Sequence, residues 1–204
     1  MTGSGLRVGC LVLAAGRASR FGADKRLARL PNGNTLLAQS LENAATVFSQ
    51  RILVLREDDG EPIQRYRDNW LIVTAAQAAR GMGHSLAAAL PALQAWDAAV
   101  VILADMPWIK PQTLRRIADA AAADTLVVPY CGGQRGNPVC IGRDFFTELA
   151  SPQGDQGARL LLQRHPTRLL RLDLDDPGIL RDVDTPQALD GTSPESGDAA
   201  NTPT

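Results

Sequence analysis

The sequence predicts an α/β domain in three layers, in which helices cover both faces of a Rossmann-like, mostly parallel β-sheet. Short apolar runs, the clearest at residues 98–105, are of the kind that is buried on both faces of a parallel sheet. These runs alternate with segments of helical length and helical apolar spacing, as in a parallel α/β sheet. The chain has 204 residues, of which 45% are hydrophobic, so it can bury a sizeable core.

The predicted elements follow one another in a regular order. Strands are expected at residues 7–15, 51–56, 70–75, 98–105, 125–130, 138–142 and 168–172. Helices are expected at residues 36–48, 83–96, 110–123 and 158–163, with a short last helix after Asp184. Asn34 or Thr35 suits the first N-cap, Pro91 kinks or splits the second helix, and Pro111 fits the first turn of the third. Residues 1–190 are expected to form one domain, and the small, polar residues 191–204 a disordered tail.

Composition and charge disfavour several classes of function. With 21 basic and 22 acidic side chains the formal net charge is −1, which disfavours a broad nucleic-acid or membrane-binding surface. The sequence contains no run of about 18 apolar residues, so no transmembrane helix is predicted. The N-terminus lacks the apolar stretch of a signal peptide. Cys10, Cys131 and Cys140 have no CxxC spacing and fit free thiols in a reducing compartment. A cytoplasmic protein is expected.

The segment LVLAAGRASRFGADK, residues 11–25, places a glycine and several cations directly after the first strand. In open α/β sheets, ligands bind at the carboxyl ends of the strands. Gly16 allows backbone N–H groups to approach an anion, and Arg20 and Lys25 could neutralise phosphate charge. The spacing fits neither the Walker loop nor the dinucleotide fingerprint. By itself the segment is either a phosphate-binding turn or a solvated basic loop.

Two aspartate motifs are candidates for a magnesium site. ADMP, residues 104–107, puts Asp105 directly after a buried strand, where a carboxylate suits Mg²⁺. A turn aspartate would explain the same residue. DVDTP, residues 182–186, reads equally as the start of a helix, with Asp184 or Thr185 as N-cap and Pro186 in the first turn.

Three further segments allow both a functional and a structural interpretation. GMGHSL, residues 81–86, precedes a helix, and Ser85 with the first-turn N–H groups could contact a base or a ribose. An ordinary capped helix with His84 on the surface is the simpler account. GGQRGNP (132–138) and GDQGAR (154–159) are glycine loops that turn chemistry can explain, and Asp155 with Arg159 suits a pair across one helical turn.

Taken together, LAAG followed by Arg20, Gly22 and Lys25 resembles the signature of nucleotidyltransferases with the glycosyltransferase-A-like, nucleotide-diphospho-sugar transferase-like fold. Within that group the chain is most similar to the molybdenum cofactor cytidylyltransferases and guanylyltransferases, from about residue 8 to about residue 189. The resemblance implies a nucleotide site made of Leu13, Ala14, Ala15, Gly16, Arg20, Lys25, Gly81, Ser85 and Asp105.

The resemblance also implies roles for these residues. Arg20 and Lys25 would hold the triphosphate and, with Asp105, act in catalysis, while Asp105 and Asp184 would bind Mg²⁺, with Asp182 as the weaker candidate. The loops at 132–138 and 154–159 would line the acceptor side. Asn137 departs from the family there, because many relatives carry histidine at this position.

The implied reaction is magnesium-dependent transfer of CMP from CTP to the phosphate of molybdenum-loaded molybdopterin, with release of pyrophosphate. CTP is favoured over GTP because the turn reads LAAG, whereas guanylyltransferase relatives tend to read LAGG. A molybdenum enzyme or its chaperone is a further possible partner. The alternatives are a guanylyltransferase, a sugar-phosphate nucleotidyltransferase, a nucleotide-binding maturation chaperone for a molybdenum enzyme, and a scaffold protein without nucleotide binding.

Overall fold

The computed structural model of the protein describes residues 5–16, 21–60, 63, 65–150 and 158–190. Eight strands form one sheet. In chain order they are β1 (Val8–Leu13), β2 (Arg51–Leu55), β3 (Leu71–Thr74), β4 (Ala98–Leu103), β5 (Leu126–Cys131), β6 (Gln134–Arg135), β7 (Val139–Gly142) and β8 (Leu169–Asp173). The helices are α1 (Leu36–Ala45), α2 (Met82–Leu93), α3 (Pro111–Asp119) and α4 (Arg159–Arg164).

The strand order is β3-β2-β1-β4-β7-β5-β6, with β8 also paired to β5. β1 is parallel to both β2 and β4, and β8 is parallel to β5. β7 is antiparallel to both β4 and β5, and the two-residue β6 is antiparallel to β5. All strands except β6 and β7 therefore run in one direction, which confirms the predicted mostly parallel sheet. β1 lies near its middle, so the turn after β1 is flanked by strands on both sides.

Alternate residues of β1 pack on opposite faces of the sheet, as a strand buried on both sides requires. Cys10, Val12 and Ala14 belong to a core cluster with α1 and α3. Leu11, Leu13 and Ala15 belong to a second cluster with α2. The sheet thus has helices on both faces, and the three-layer prediction is confirmed.

The helix boundaries follow from local chemistry that the sequence displays. The Thr35 side chain accepts a hydrogen bond from Ala38 N and caps α1. Pro111 occupies the first turn of α3, where its missing N–H costs nothing. Pro91 lies inside α2, which runs unbroken from Met82 to Leu93, so the second helix is not split.

The structure differs from the predicted elements mainly at strand ends and in short turns. β1 ends at Leu13, and Ala14 and Ala15 continue the chain without belonging to the ladder. The last predicted helix is a 3-10 turn, Pro186–Asp190. Several further 3-10 turns, among them Lys25–Leu27 and Arg143–Ala150, were not expected, because such turns have no strong periodic pattern. The predicted tail at 191–204 lies outside the described residues.

The cysteines agree with the expectation from their spacing. Cys10, Cys131 and Cys140 are free thiols, and burial raises the pKa of Cys140 to about 12. Within the described ranges, every helix is too short or too polar to cross a membrane.

Candidate active site

The turn after β1 lies at the carboxyl end of the sheet, between the ends of β2 and β4. Ala14 N donates to Val54 O, and Ala104 N donates to Leu13 O. Ala14 and Ala15 are buried, whereas Gly16 is exposed and a Cβ added to it would meet nothing within 4 Å. Packing among the described residues therefore does not explain the glycine, which leaves room for a ligand.

Lys25 joins the two aspartate motifs that the sequence singled out. Its Nζ donates to Asp105 Oδ2 at 2.8 Å and to Asp184 Oδ1 at 3.0 Å. A third hydrogen bond, 2.9 Å long, reaches the carbonyl oxygen of Val183. Three predicted site residues from distant parts of the chain therefore meet at one ammonium group.

Each of these side chains is positioned by a neighbouring backbone feature. Lys25 begins the 3-10 turn Lys25–Leu27, whose N-cap is Asp24. Asp105 follows β4 by two residues. Val183 N donates to Asp105 O at 3.0 Å, and the fully buried Val183 side chain anchors the segment that carries Asp184.

The charges in this cluster influence one another. Burial opposes the Lys25 charge, but Asp105 and Asp184 outweigh it, so the pKa of Lys25 lies above its ordinary value. Partial burial and the carboxylates of Asp184 and Asp105 raise the pKa of Asp182. Three carboxylates therefore lie near one ammonium group, and the excess negative charge favours a cation.

The donor set fits a hard divalent cation. Asp105 Oδ1 is buried and has no hydrogen-bond partner among the described residues, and an unpaired buried carboxylate oxygen is costly. Mg²⁺ is bound in many proteins by one or two carboxylates, its remaining ligands being waters and substrate phosphates. No group of three or more Asp, Glu, His or Cys side chains in the described ranges forms a metal cage. Asp105 and Asp184 would therefore act as a two-carboxylate site.

The start of α2 contains the two remaining predicted nucleotide contacts. Gly81 precedes the helix at the N-cap position with φ of 119°, a conformation that favours glycine. Ser85 is buried in the first turns of the helix. Met82 and Leu86, on the same helix, line a cavity of about 670 Å³.

This cavity lies beside the carboxyl end of β4, two residues from Asp105. Its wall includes Arg135 and Asn137 from the first predicted acceptor loop, and Arg159 from the second. The rest of the lining is mainly apolar and comprises Met82, Leu86, Val101, Leu103, Val139, Ala158, Leu162 and Gln163. The arrangement offers apolar walls with two guanidinium groups.

A buried ion network behind the turn was not predicted from the sequence. Arg26, only 4% exposed, donates to Asp24, to Asp59 and to the carbonyl oxygen of Ala14. Arg56 donates to the same two carboxylates and to the carbonyl oxygen of Gly16. Asp59 lies 33 residues from Arg26, so no local spacing could have revealed the network.

Most predicted site residues lie in the described ranges, and the structure brings Lys25, Asp105 and Asp184 into contact. Leu13 to Gly16 form the adjacent turn, and Gly81 and Ser85 lie at the start of α2. Arg20 and Asp155 lie outside the described residues. Asp184 precedes the 3-10 turn that begins at Pro186, and its carboxylate bonds to Lys25.

Comparison with known proteins agrees with this geometry. A family model described as MobA-like NTP transferase domain matches residues 10–169. The bifunctional protein GlmU of Azoarcus sp. (strain BH72) is 36% identical over 136 residues, which are 65% of this chain and 29% of that protein. The chain spans less than a third of the length of the curated relatives it matches.

Solved structures resemble nearly the whole described fold. Rv0371c from Mycobacterium tuberculosis H37Rv is 32% identical, with a TM-score of 0.76 over 88% of this chain and 93% of that chain. Its complex with manganese has a TM-score of 0.66 at 27% identity, over 83% and 89% of the two chains. A nucleotidyl transferase from Methanothermobacter thermautotroptrophicus (Mth528) reaches 0.74 at 22% identity, over 88% and 92%, and supports the fold alone.

The family resemblance expected from the LAAG turn and the two aspartate motifs is thereby confirmed. The matched region includes the turn, Lys25, Asp105, residues 10–13 of β1, all of β2 to β7, and the first residue of β8. This chain belongs to the MobA-like NTP transferase domain family.

Proposed function

We propose that this protein is a nucleotidyltransferase that moves CMP from CTP to the phosphate of molybdenum-loaded molybdopterin and releases pyrophosphate. The observation that carries the proposal is the contact of Lys25 with both Asp105 and Asp184, beside a buried oxygen of Asp105 that lacks a partner among the described residues. The Lys25 ammonium and the two carboxylates, which meet beside the end of β4, suit the binding of a triphosphate with its divalent metal.

The reaction needs little beyond positioning and charge neutralisation. An oxygen of the acceptor phosphate forms a bond to the α-phosphorus of the nucleotide, and the bond from that phosphorus to the bridging oxygen of pyrophosphate breaks. The acceptor phosphate is already ionised at neutral pH, so no general base is required. Lys25 and Arg20 would neutralise the β- and γ-phosphates, and the turn at Gly16 would donate backbone N–H groups.

Asp105 and Asp184 would hold a divalent metal, for which we propose Mg²⁺. When bound, such an ion neutralises the charge that develops on the phosphate oxygens. The manganese complex of Rv0371c supports a divalent ion in this family. Asp182, whose pKa is raised by partial burial and by the other two carboxylates, would be a neighbour of that ion.

The cavity beside β4 would receive the acceptor. Its apolar walls, among them Leu86, Val101 and Leu162, suit a flat ring system such as a pterin better than a polyhydroxyl sugar. Arg135 and Arg159 would neutralise the acceptor phosphate. This chemistry favours molybdopterin over a sugar phosphate, even though Asn137 lies where many relatives carry histidine.

The choice of CTP over GTP depends on the LAAG turn. The Ala15 side chain is buried in the core cluster that includes α2. Its methyl group would therefore influence the choice of base indirectly, by fixing the position of the backbone in the turn. GTP as the donor would keep the same metal ligands and the same acceptor cavity.

The decisive experiment is pyrophosphate release with Mg²⁺ and molybdenum cofactor, compared for CTP, GTP, ATP and UTP. We expect release with CTP well above the others, and none without cofactor. Preference for GTP would overturn the base assignment and keep the reaction class. Pyrophosphate release with a sugar phosphate in place of the cofactor would overturn the assignment of molybdopterin as the acceptor. Tight nucleotide binding without release would identify a nucleotide-binding maturation chaperone.

A further inference from the structure

The guanidinium of Arg26 has five N–H donors, and each meets an acceptor. Nε donates to Oδ1 of Asp24, and Nη2 donates to Oδ2 of the same carboxylate. Nη1 and Nη2 also bond to the two oxygens of Asp59. The remaining donor, on Nη1, reaches the carbonyl oxygen of Ala14 at 2.6 Å. Two bidentate pairs therefore fix the plane of the guanidinium, and the fifth hydrogen bond is directed at the nucleotide turn.

Arg56 makes a parallel connection from the loop after β2. Its side chain donates to Asp24 Oδ2 and Asp59 Oδ1, both at 2.9 Å. Its Nη1 donates to the carbonyl oxygen of Gly16 at 3.3 Å. The two guanidinium groups share the two carboxylates, and each holds a different carbonyl of the turn.

The network also positions Lys25. Asp24 is the N-cap of the 3-10 turn Lys25–Leu27 and accepts hydrogen bonds from the backbone and side chain of Arg26. Lys25 therefore lies between the residues that make up the network. A shift of Arg26 would move both the turn and the ammonium that contacts Asp105 and Asp184.

We infer that Arg26, with Asp24, Asp59 and Arg56, is a positioning device for nucleotide binding. It holds the carbonyl oxygens of Ala14 and Gly16 behind the turn and fixes the 3-10 turn that presents Lys25. The inference rests on the proposed function, since it requires a nucleotide at this turn. It goes beyond that function because none of the four side chains is assigned to the triphosphate, the metal or the acceptor.

The alternative is that the network only stabilises the fold, as buried ion pairs can do. The two roles predict different nucleotide affinities for a variant that still folds. Loss of a purely stabilising contact lowers the melting temperature and leaves the affinity of the folded protein unchanged. Loss of a positioning contact weakens nucleotide binding in protein that is fully folded.

The test is titration of CTP with Mg²⁺ into wild type and Arg26→Lys by calorimetry, well below both melting temperatures. Lysine keeps the charge but has three donors in place of five and cannot form both bidentate pairs. We expect the Kd for CTP to rise about tenfold or more, because small misplacements of binding groups are costly. Amide hydrogen exchange at residues 13–16 should also become faster.

Two matched controls separate positioning from stability. Arg29→Lys changes an exposed arginine of the same segment that bonds only to Gly33 O among the described residues, and its Kd should equal that of wild type. Ile117→Ala removes a fully buried side chain of α3 and should lower the melting temperature without changing the Kd. If Arg26→Lys does not fold, Arg56→Gln decides by the same criterion, because Arg56 is only partly buried.

A folded Arg26→Lys protein with wild-type affinity and wild-type exchange at the turn would overturn the inference alone. Absence of nucleotide binding by the wild type would overturn the proposed function and the inference with it. Weaker binding in Arg26→Lys, with both controls at the wild-type value, would establish the positioning role.

Discussion

Among the single residues of the site, Lys25 joins segments that lie far apart in the sequence, which the motif around it does not reveal. Its ammonium contacts Asp105, Val183 and Asp184, which lie 80, 158 and 159 residues further along the chain. The resemblance to the family implies that this lysine would bind phosphate, which stays a proposal. The contacts add that its ammonium pairs with both carboxylates that are proposed to bind the metal.

Replacing Asp105 with asparagine tests that proposal most directly. Asparagine keeps the shape of the side chain but removes the charge that would hold the cation and that pairs with Lys25. We expect pyrophosphate release at saturating nucleotide to fall by about 10²- to 10³-fold. Asp173→Asn, in an exposed pair with Arg171 on β8, is the matched control and should keep the wild-type rate. An Asp105→Asn protein that turned over normally would rule out this metal site.

Two glycines at strand ends should respond in opposite ways to a methyl group. A Cβ on Gly16 would meet no described residue within 4 Å, whereas a Cβ on Gly142 would collide with the backbone carbonyl oxygen of Ala123. We expect Gly142→Ala to lower the free energy of unfolding by about 1–3 kcal/mol, measured in urea.

Gly16→Ala should leave that free energy nearly unchanged and weaken CTP binding instead, because the methyl group would occupy space meant for the ligand. Calorimetry of the folded variant measures the second effect. Wild-type affinity in Gly16→Ala would show that the nucleotide does not approach this residue.

At the scale of elements, α1 begins where its cap predicts. Thr35 Oγ1 accepts a hydrogen bond from Ala38 N at 3.2 Å. Thr35→Ala should lower the free energy of unfolding by about 1 kcal/mol, measured by urea denaturation. Thr35→Ser, which keeps the hydroxyl, should stay close to wild type. Equal losses in both variants would mean that the methyl group, and not the cap, stabilises this end of the helix.

The ion network that joins the β1 turn, the 3-10 turn and the β2 loop predicts sensitivity to acid. Hydrogen bonds from Arg26 hold the pKa of Asp24 at about 2, below its ordinary value of 3.8. The pKa of Asp59 is also lowered, because hydrogen bonds from Arg26 and Arg56 outweigh its burial. A lowered folded-state pKa stabilises the protein above the unfolded-state value, and this stabilisation is lost as the pH falls through the folded-state value.

We therefore expect the free energy of unfolding to decrease between about pH 4 and pH 2, with about 1–2 kcal/mol attributable to Asp24 after allowance for solvent screening. Urea unfolding at several pH values in this window measures the slope. Asp24→Asn should flatten it, whereas Asp124→Asn, in an exposed pair with Arg168, should not. A wild-type slope in Asp24→Asn would mean that other carboxylates control acid unfolding.

At the scale of the whole molecule, the parallel strands bring the ends of β1 and β4 to one edge of the sheet, and the acceptor cavity lies beside them. Residues 1–190 are predicted to form one domain, and we expect this part of the chain to be stable and active by itself. A chain that ends at Asp190 should unfold within about 0.5 kcal/mol of the full chain and release pyrophosphate at the same rate. A large loss of either would assign a role to residues 191–204.

Much of this arrangement could be predicted from local patterns. The apolar runs at 98–103 and 51–55 are long enough to identify buried strands, and Thr35 and Pro111 mark helix starts. The short 3-10 turns could not be predicted, because a few residues without periodicity carry little signal. The antiparallel direction of β7 could not be predicted either, because it depends on pairing with β4 and β5, which no local pattern in the sequence reveals.

The fold class, the family and the three candidate residues Lys25, Asp105 and Asp184 could be predicted from the amino-acid sequence, since they depend on periodicity and on motifs within short segments. The folded molecule was needed to show that Lys25 contacts both aspartates, that one oxygen of Asp105 is buried without a partner in the described chain, and that Arg26 donates a hydrogen bond to the carbonyl oxygen of Ala14. A hydrogen bond depends on distances of about 3 Å, and residues separated by many positions reach such distances only when the sheet and its loops have formed.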